Sequence, residues 1–364
     1  MPMEAIDLFA GCGGLSWGFL QAGWHMARAV ELDGQAAATY AHNHPHAQVL
    51  AEDISQTVGL FRQGEAQAVI GGPPCQGFSM AGARIRRGFM DDPRNYLFRH
   101  YFQIVKTVRP LVFVMENVKG MATMQGGAIF REILRLFQDE SALEGPAYRL
   151  HWQVVNAAGF GVPQKRERLI LLGTTLSGVD FPALWEATRR EIAQAQPGFF
   201  DPVTVRDAIG NLPAPAPNGL VPAPPPQTAY QRYLAGAGAM LSGHSRTNHS
   251  PLAVARMKQI PAGENYTVLK ETIRSVHSGA YGRLQWDSPA PTVTTRFDTP
   301  AGGRFIHPVE DRTLTPREAA RLQSFPDDFR FSGSKTAVCR QIGNAVPPKV
   351  AYFLGKLAQK AAGG

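Results

Sequence analysis

The chain has 364 residues, 44% of them hydrophobic and 18% charged, and carries a formal net charge of +8. That is enough apolar material for a substantial core; it excludes a disordered polyelectrolyte, and no apolar run reaches the roughly 18 residues of a membrane-spanning helix. Three cysteines, Cys12, Cys75 and Cys339, are odd in number and too widely spaced for a disulfide scaffold or a metal knuckle. The opening "MPMEAIDLFAG" lacks a basic segment followed by an apolar one, so no secretory leader and a cytoplasmic location are expected. A chain this basic has two readings on charge alone, a polyanion partner, by default nucleic acid, or an ordinary basic enzyme surface.

In chain order, short apolar runs alternate with helix-like segments. "AIDLF" (5–9) reads as a strand, "LSWGFLQAG" as a helix, "ARAVE" (27–31) as a strand and "GQAAATYAHN" as a helix. Strands "QVLAED" (48–53) and "AQAVIGG" (66–72) follow, then a polar loop and the helix "YLFRHYFQIVKTV", stopped by Pro110. "LVFVMEN" (111–117) is a strand, "IFREILRLFQDE" an amphipathic helix, and "LHWQVVNA" and "RLILLGT" two further strands. Such alternation predicts an α/β fold with a doubly wound, mostly parallel sheet. From about residue 177 the chain becomes loop-rich, and the proline-rich "LPAPAPNGLVPAPPPQ" cannot be helix or sheet interior. The reading is a discontinuous larger domain, 1–176 and 336–364, and a smaller irregular one, 177–335. The "HNHPH" run at 42–46 lacks a partner at ligand spacing and reads as a polar turn; no metal is expected.

Gly11, Gly13 and Gly14 lie between the first strand and first helix, where glycine permits a tight turn and close approach of a ligand. Glu31 ends the second strand, suited to a ribose diol, and Asp53 ends the third, suited to an adenine amine. Together they favour an adenosine-containing ligand; the G-x-G-x-x-G spacing of a pyrophosphate site is absent. Cys75 stands at the end of the fourth strand in "GGPPCQGFS", and Glu116 and Asn117 end the fifth, so thiol and acid converge on one sheet edge. Pro73 and Pro74 fix the backbone before the thiol.

These residues carry a resemblance. "DLFAGCGGLSWGF", "GGPPCQGFS", "MENV", "PQKRERLILLG", "TPREAARLQSFPDDF" and "QIGNAVPP" resemble, in order and approximate spacing, the motifs of the DNA (cytosine-5)-methyltransferases of bacterial type. The resemblance implies a Rossmann-like methyltransferase sheet, S-adenosyl-L-methionine as methyl donor with S-adenosyl-L-homocysteine as product, and double-stranded DNA as substrate. It makes Cys75 the nucleophile toward cytosine C6, Glu116 the contact to N3 and the exocyclic amine, Arg168 a ligand of O2, and Arg166 a residue that orients Glu116 or the backbone. It implies a cofactor site from Phe9, Gly11, Cys12, Gly13, Gly14, Glu31, Leu32, Asp53, Ile54, Gly72, Pro74, Leu97, Asn344 and Ala345. Gln164, Arg166 and Arg168 alternate and so share one face. Gln164, with Ser79, Arg84, Arg86 and Arg87 of the loop after Cys75, is expected to meet DNA. The irregular domain becomes a target-recognition domain, with 267–284 its variable region. The family default is a monomer; a nucleoid-associated location is expected, and a cognate restriction endonuclease is a candidate functional rather than physical partner, whose existence the sequence does not give. The alternative is the family's tRNA-methylating branch.

Overall fold

The computed structural model describes residues 2–74, 96–271, 273 and 278–363. Cys75, Ser79, Arg84, Arg86, Arg87 and part of the 267–284 region lie outside the described residues. The chain divides into two compact units, one of Met1–Asn156, Glu167–Phe199 and Pro348–Gly364, the other of Ala157–Arg166 and Phe200–Pro347. Residues 177–199, read from the sequence with the second domain, thus cluster with the first.

In the first unit the elements are β1 (Glu4–Leu8), α1 (Gly14–Gln21), β2 (His25–Val30), α2 (Gly34–Asn43), β3 (Gln48–Leu50), α3 (Ile54–Thr57), β4 (Ala68–Gly71), α4 (Phe98–Val108), β5 (Val112–Val118), α5 (Ala128–Gln138), β6 (Arg149–Asn156), β7 (Glu167–Thr174), α6 (Phe181–Ala195) and α7 (Pro348–Ala361). The strands form one sheet in the order β3-β2-β1-β4-β5-β7-β6. The first five are parallel; β7 runs antiparallel to β5, and β6 antiparallel to β7. Central strands β4 and β5 are buried almost throughout, as a sheet covered on both faces requires. Under one face, Phe102, Phe113, Phe137 and Tyr148 pack edge-on or stacked. The buried Tyr101 hydroxyl donates to the Val69 carbonyl at 3.0 Å, with that of Val114 at 3.1 Å, so a polar tip on α4 is satisfied by two strands.

The last helix returns to the first. An added Cβ at Gly18 of α1 would fall 2.3 Å from the Ala351 Cβ, and one at Gly355 2.7 Å from the Ala22 Cβ. Trp24 Nε1 donates to the Gly355 carbonyl, and Gln359 Nε2 to that of Ala22. The two helices therefore touch backbone to backbone, a distance open only to small residues.

The second unit has little regular structure. Its helices include Val205–Ile209, Ala229–Leu234, Pro251–Lys258, Pro316–Leu322 and Lys335–Asn344, joined by two-residue ladders. Met257, Ile260, Ala280, Tyr281 and Ile306 form an apolar cluster within it. Buried arginines do much of the rest. Arg283 donates to the carbonyls of Met257, Ile260, His307 and Glu310, and Arg317 to those of Ser242, Pro326 and Phe329.

Gly18→Ala should lower the unfolding free energy by about 2 kcal/mol, overpacking outweighing about 1 kcal/mol gained in helix propensity. Urea denaturation reads it; an unchanged midpoint would mean that the α1–α7 contact yields without cost.

Candidate active site

The turn from β1 into α1 is left-handed at Gly11 (φ 56°) and Gly13 (φ 89°), and Phe9 before it also has a positive φ of 60°. A non-glycine residue held there costs about 1–3 kcal/mol, and such strain gathers at ligand sites. The Gly11 N–H donates to Glu31 Oε2 (2.8 Å) and the Asp33 N–H to Glu31 Oε1 (2.7 Å). The Glu31 carboxylate is thus clamped between the loops after β1 and β2. Asp53 caps α3 at the end of β3 with an exposed carboxylate, which the Ser55 N–H holds below its usual range. Leu32, between the two acids in sequence, is 68% exposed. Ile54 is buried in the core, and Phe9 and Leu97 pack half-buried against it. A fixed carboxylate, a second acid on the next strand and an exposed apolar side chain fit an adenosine group.

Beneath this turn lies a buried polar chain. The Ser16 hydroxyl donates to Asp7 Oδ2 (2.6 Å) and lies 2.7 Å from the Tyr40 hydroxyl. It ties β1, α1 and α2 together. His44 Nε2 lies 3.2 Å from the Gly13 carbonyl, and an added Cβ at Gly13 would fall 2.5 Å from the same nitrogen. Gly13 is therefore required both for its φ and for the imidazole against it. Burial pushes the Asp7 carboxyl up to about 7, the Ser16 hydrogen bond opposing and the Glu31 charge adding. Burial likewise pushes the thiols of Cys12 and Cys339 up to about 12, so both stay protonated and unreactive at neutral pH.

At the neighbouring strand ends, Glu116 is 9% exposed on β5. Register pairs Glu116 with Ile170 and Val118 with Arg168, which makes Glu116 and Arg168 diagonal neighbours on one face. Arg168 Nε lies 2.9 Å from Glu116 Oε1. The N–H direction misses the oxygen, so Oε1 is buried beside a cation yet accepts no hydrogen bond among the described residues. An added Cβ at Gly72 would fall 3.0 Å from Glu116 Oε2, so only glycine passes this carboxylate freely. Asn117, which sequence reasoning placed at the strand end without a task, donates Nδ2 to the Pro73 carbonyl (2.8 Å). It anchors the Gly-Pro-Pro segment at Pro73, two residues before Cys75, with the half-buried Pro74 between them. The adjacent acid in "MENV" was the only signal available for it.

In the second unit, Gln164 is not available to DNA as expected. It is fully buried: Nε2 donates to Gln323 Oε1 (2.9 Å) and the Leu322 carbonyl (3.2 Å), and Oε1 accepts from the Val293 N–H (2.8 Å). Arg166, 2% exposed, binds backbone, donating to the carbonyls of Val293 (3.2 Å) and Gly343 (3.1 Å). Asn344 ends the helix Lys335–Asn344 with an exposed side chain, and Ala345 is buried after it.

A model of the C-5 cytosine-specific DNA methylase family matches residues 3–360. The chain is 35% identical to the type II methyltransferase M1.HphI of Haemophilus parahaemolyticus, over 99% of this chain and 87% of that protein. It is also 35% identical to M.XorII of Xanthomonas oryzae pv. oryzae, over 98% and 84%. Among solved structures, a candidate DNA modification methyltransferase encoded within an E. coli prophage matches with a TM-score of 0.75 at 29% identity, covering 100% of both chains. The S. pombe Dnmt2 methyltransferase, at 18% identity, TM-score 0.62 and 98% coverage of each chain, shares the fold.

Arg168→Ala strands a buried carboxylate and should cost about 3 kcal/mol of stability; an unchanged urea midpoint would mean that Glu116 does not need its cation. Asp7 gives a pH signature. Its folded value of about 7 lies above the unfolded carboxyl range, so the folded chain holds a proton the unfolded chain has lost. Stability contributed by that proton is present at low pH and lost as pH rises through 7. Relative to the parent, Asp7→Asn should therefore gain about 3 kcal/mol between pH 4 and 7 and then level off. A difference that does not change with pH would refute the buried, protonated acid.

Proposed function

The chain belongs to the C-5 cytosine-specific DNA methylase family, and from that premise we propose that it methylates C5 of a cytosine rotated out of duplex DNA, through a covalent bond between Cys75 and C6. The observation that carries this reading is the convergence, on three adjacent strands, of the anchored Pro73 carbonyl, the Glu116 carboxylate and Arg168. Cytosine C5 is a weak nucleophile inside an aromatic ring. The Cys75 thiolate adds to C6, forming the C6–S bond and moving the C5=C6 electrons to C5, which becomes enamine-like. Glu116 contacts N3 and the exocyclic amine, and a proton passed to N3 along this contact as the thiolate adds leaves the adduct an enamine rather than a carbanion; Arg168 keeps the carboxylate in place and reaches O2. After C5 has taken the methyl group, a base removes the C5 proton, the electron pair restores the double bond, and the C6–S bond breaks. With Cys12 and Cys339 buried and protonated, Cys75 is left as the thiol for this step.

S-adenosylmethionine, when bound, supplies the electrophilic methyl group and leaves as S-adenosylhomocysteine. Glu31 would hold the ribose hydroxyls, Asp53 the adenine amine and Leu32 the adenine face, with Phe9, Ile54 and Leu97 as its apolar surroundings. The second unit would read the DNA sequence. The match to a DNA methylase family supports DNA over tRNA as substrate, and a restriction endonuclease as functional counterpart belongs to the same proposal. We assign a monomer, with Ser79, Arg84, Arg86 and Arg87 meeting the DNA.

DNA in which cytosine is replaced by 5-fluorocytosine should trap the enzyme covalently in the presence of S-adenosylmethionine, because fluorine cannot leave as a proton. Cys75→Ala should give no adduct on a denaturing gel, and Glu116→Gln should slow adduct formation by about 10²–10⁴-fold. An adduct that survives in Cys75→Ala, or methyl transfer to tRNA alone, would overturn the proposal.

A further inference from the structure

The second unit contains a recess of about 630 Å³ whose lining includes Lys165, Arg283, Gln285, Ser288, Thr292 and Arg304. The charged groups of this unit fall into two kinds. Arg166, Arg283, Arg312, Arg317 and Arg321 are spent internally, on carbonyls or on the carboxylates of Asp311, Glu318 and Asp327. Lys165 and Arg304 differ. Among the described residues neither side-chain nitrogen has a hydrogen-bond or ion-pair partner, though both line the same concavity.

The local backbone prepares both. Lys165 lies between the buried Gln164 and Arg166, so period two turns it outward while its neighbours fix the segment. Its carbonyl accepts from the Thr292 hydroxyl (2.8 Å), which joins it to the recess wall. The stem of Arg304 crosses Gly282, where an added Cβ would fall 2.5 Å from its Cγ. Gln285 occupies the space left by Gly263, where a Cβ would fall 2.1 Å from its Nε2. Among the described residues its amide meets only a long contact, 3.4 Å, from the Ser288 hydroxyl.

Two uncommitted cations held in a polar concavity suit a phosphodiester, and an exposed amide beside them suits a base edge. We propose that this recess seats the backbone of one DNA strand, with Lys165 and Arg304 as its phosphate contacts and Gln285 as a reader of the adjacent base. The proposal rests on the reading of the chain as a DNA methyltransferase.

The test uses the full chain and a labelled duplex carrying its methylation site, mapped by bisulfite sequencing of DNA from a host expressing the protein. Fluorescence anisotropy across about 50–200 mM salt gives the dependence of log K on log salt. Lys165→Ala and Arg304→Ala should each weaken binding about tenfold at low salt and flatten the slope by about one, with the site preference kept. Arg304→Lys, which keeps the charge, should restore most of the slope. Gln285→Ala should keep the slope and spread methylation about tenfold toward sites altered at one base pair. Parental slope and affinity in Lys165→Ala and Arg304→Ala would overturn the phosphate assignment, and an unaltered methylation site in Gln285→Ala would overturn the base contact. Failure of the underlying reading looks different: the parental protein itself would neither bind nor methylate duplex DNA.

Discussion

Glu116 can meet Arg168 only because β7 runs against the direction of β5. In a parallel neighbour the first residues of the strand would lie at the opposite edge of the sheet. The reversal puts the start of β7 beside the end of β5, so an acid late in one strand faces a cation early in the other. A buried carboxylate is tolerable next to a guanidinium and costly without one. Here the pair is close but badly aligned for a hydrogen bond, which leaves the acid electrostatically supported and directionally uncommitted. Gly72 and the Asn117–Pro73 bond set the approach of the neighbouring strand end to the same carboxylate. The remaining parts of the site are useful only once this corner is built.

The second unit solves a different problem. With few helices and almost no sheet, it must satisfy many buried main-chain carbonyls without a ladder. Arginine does this well, since one planar group carries five donors in a fixed geometry. Arg283 alone gathers four carbonyls and the Asp311 carboxylate from two stretches of chain, 257–260 and 307–311. Arg312 joins Glu310 and Glu318, and burial of Glu318 is offset by this cation strongly enough that its carboxyl is held down to about 2. The basic composition of the chain is therefore partly an internal construction material, and net charge overstates the cation density available to a polyanion.

The sheet was legible because alternating apolar runs and amphipathic segments depend on local spacing alone. Helix Gly34–Asn43 falls where its residues predict it, capped by Asp33. The antiparallel return of β7 was not legible, since strand direction depends on what the intervening segment does in space. Helix α6 was missed in a stretch read as loop, although Asp180 caps it and Pro182 stands in its first turn. Period two correctly put Gln164 and Arg166 on one face, but periodicity cannot say which face is inside. Gln164, expected against DNA, is instead an internal joint, and Arg166 grips backbone. That Glu31 and Asp53 follow successive strands was readable from the apolar runs before them, although the third strand stops at Leu50, short of the Asp53 at which the sequence was read to end it; the Asn117 bond was not, because its partner is a carbonyl and no residue type announces a carbonyl.

The interlock of α1 with α7 has a consequence for how the chain is made. The first helix emerges from the ribosome early and its partner only after some three hundred further residues, the second unit among them. Until Ala351 and Gly355 arrive, the Gly18 face of α1 stays wet and the Trp24 indole lacks its carbonyl. Bringing such distant segments together costs loop-closure entropy before any contact repays it, and chains rich in such contacts fold slowly. The first unit can therefore begin early but is finished last, and a nascent chain halted before residue 348 holds an open face where the complete protein has a seam.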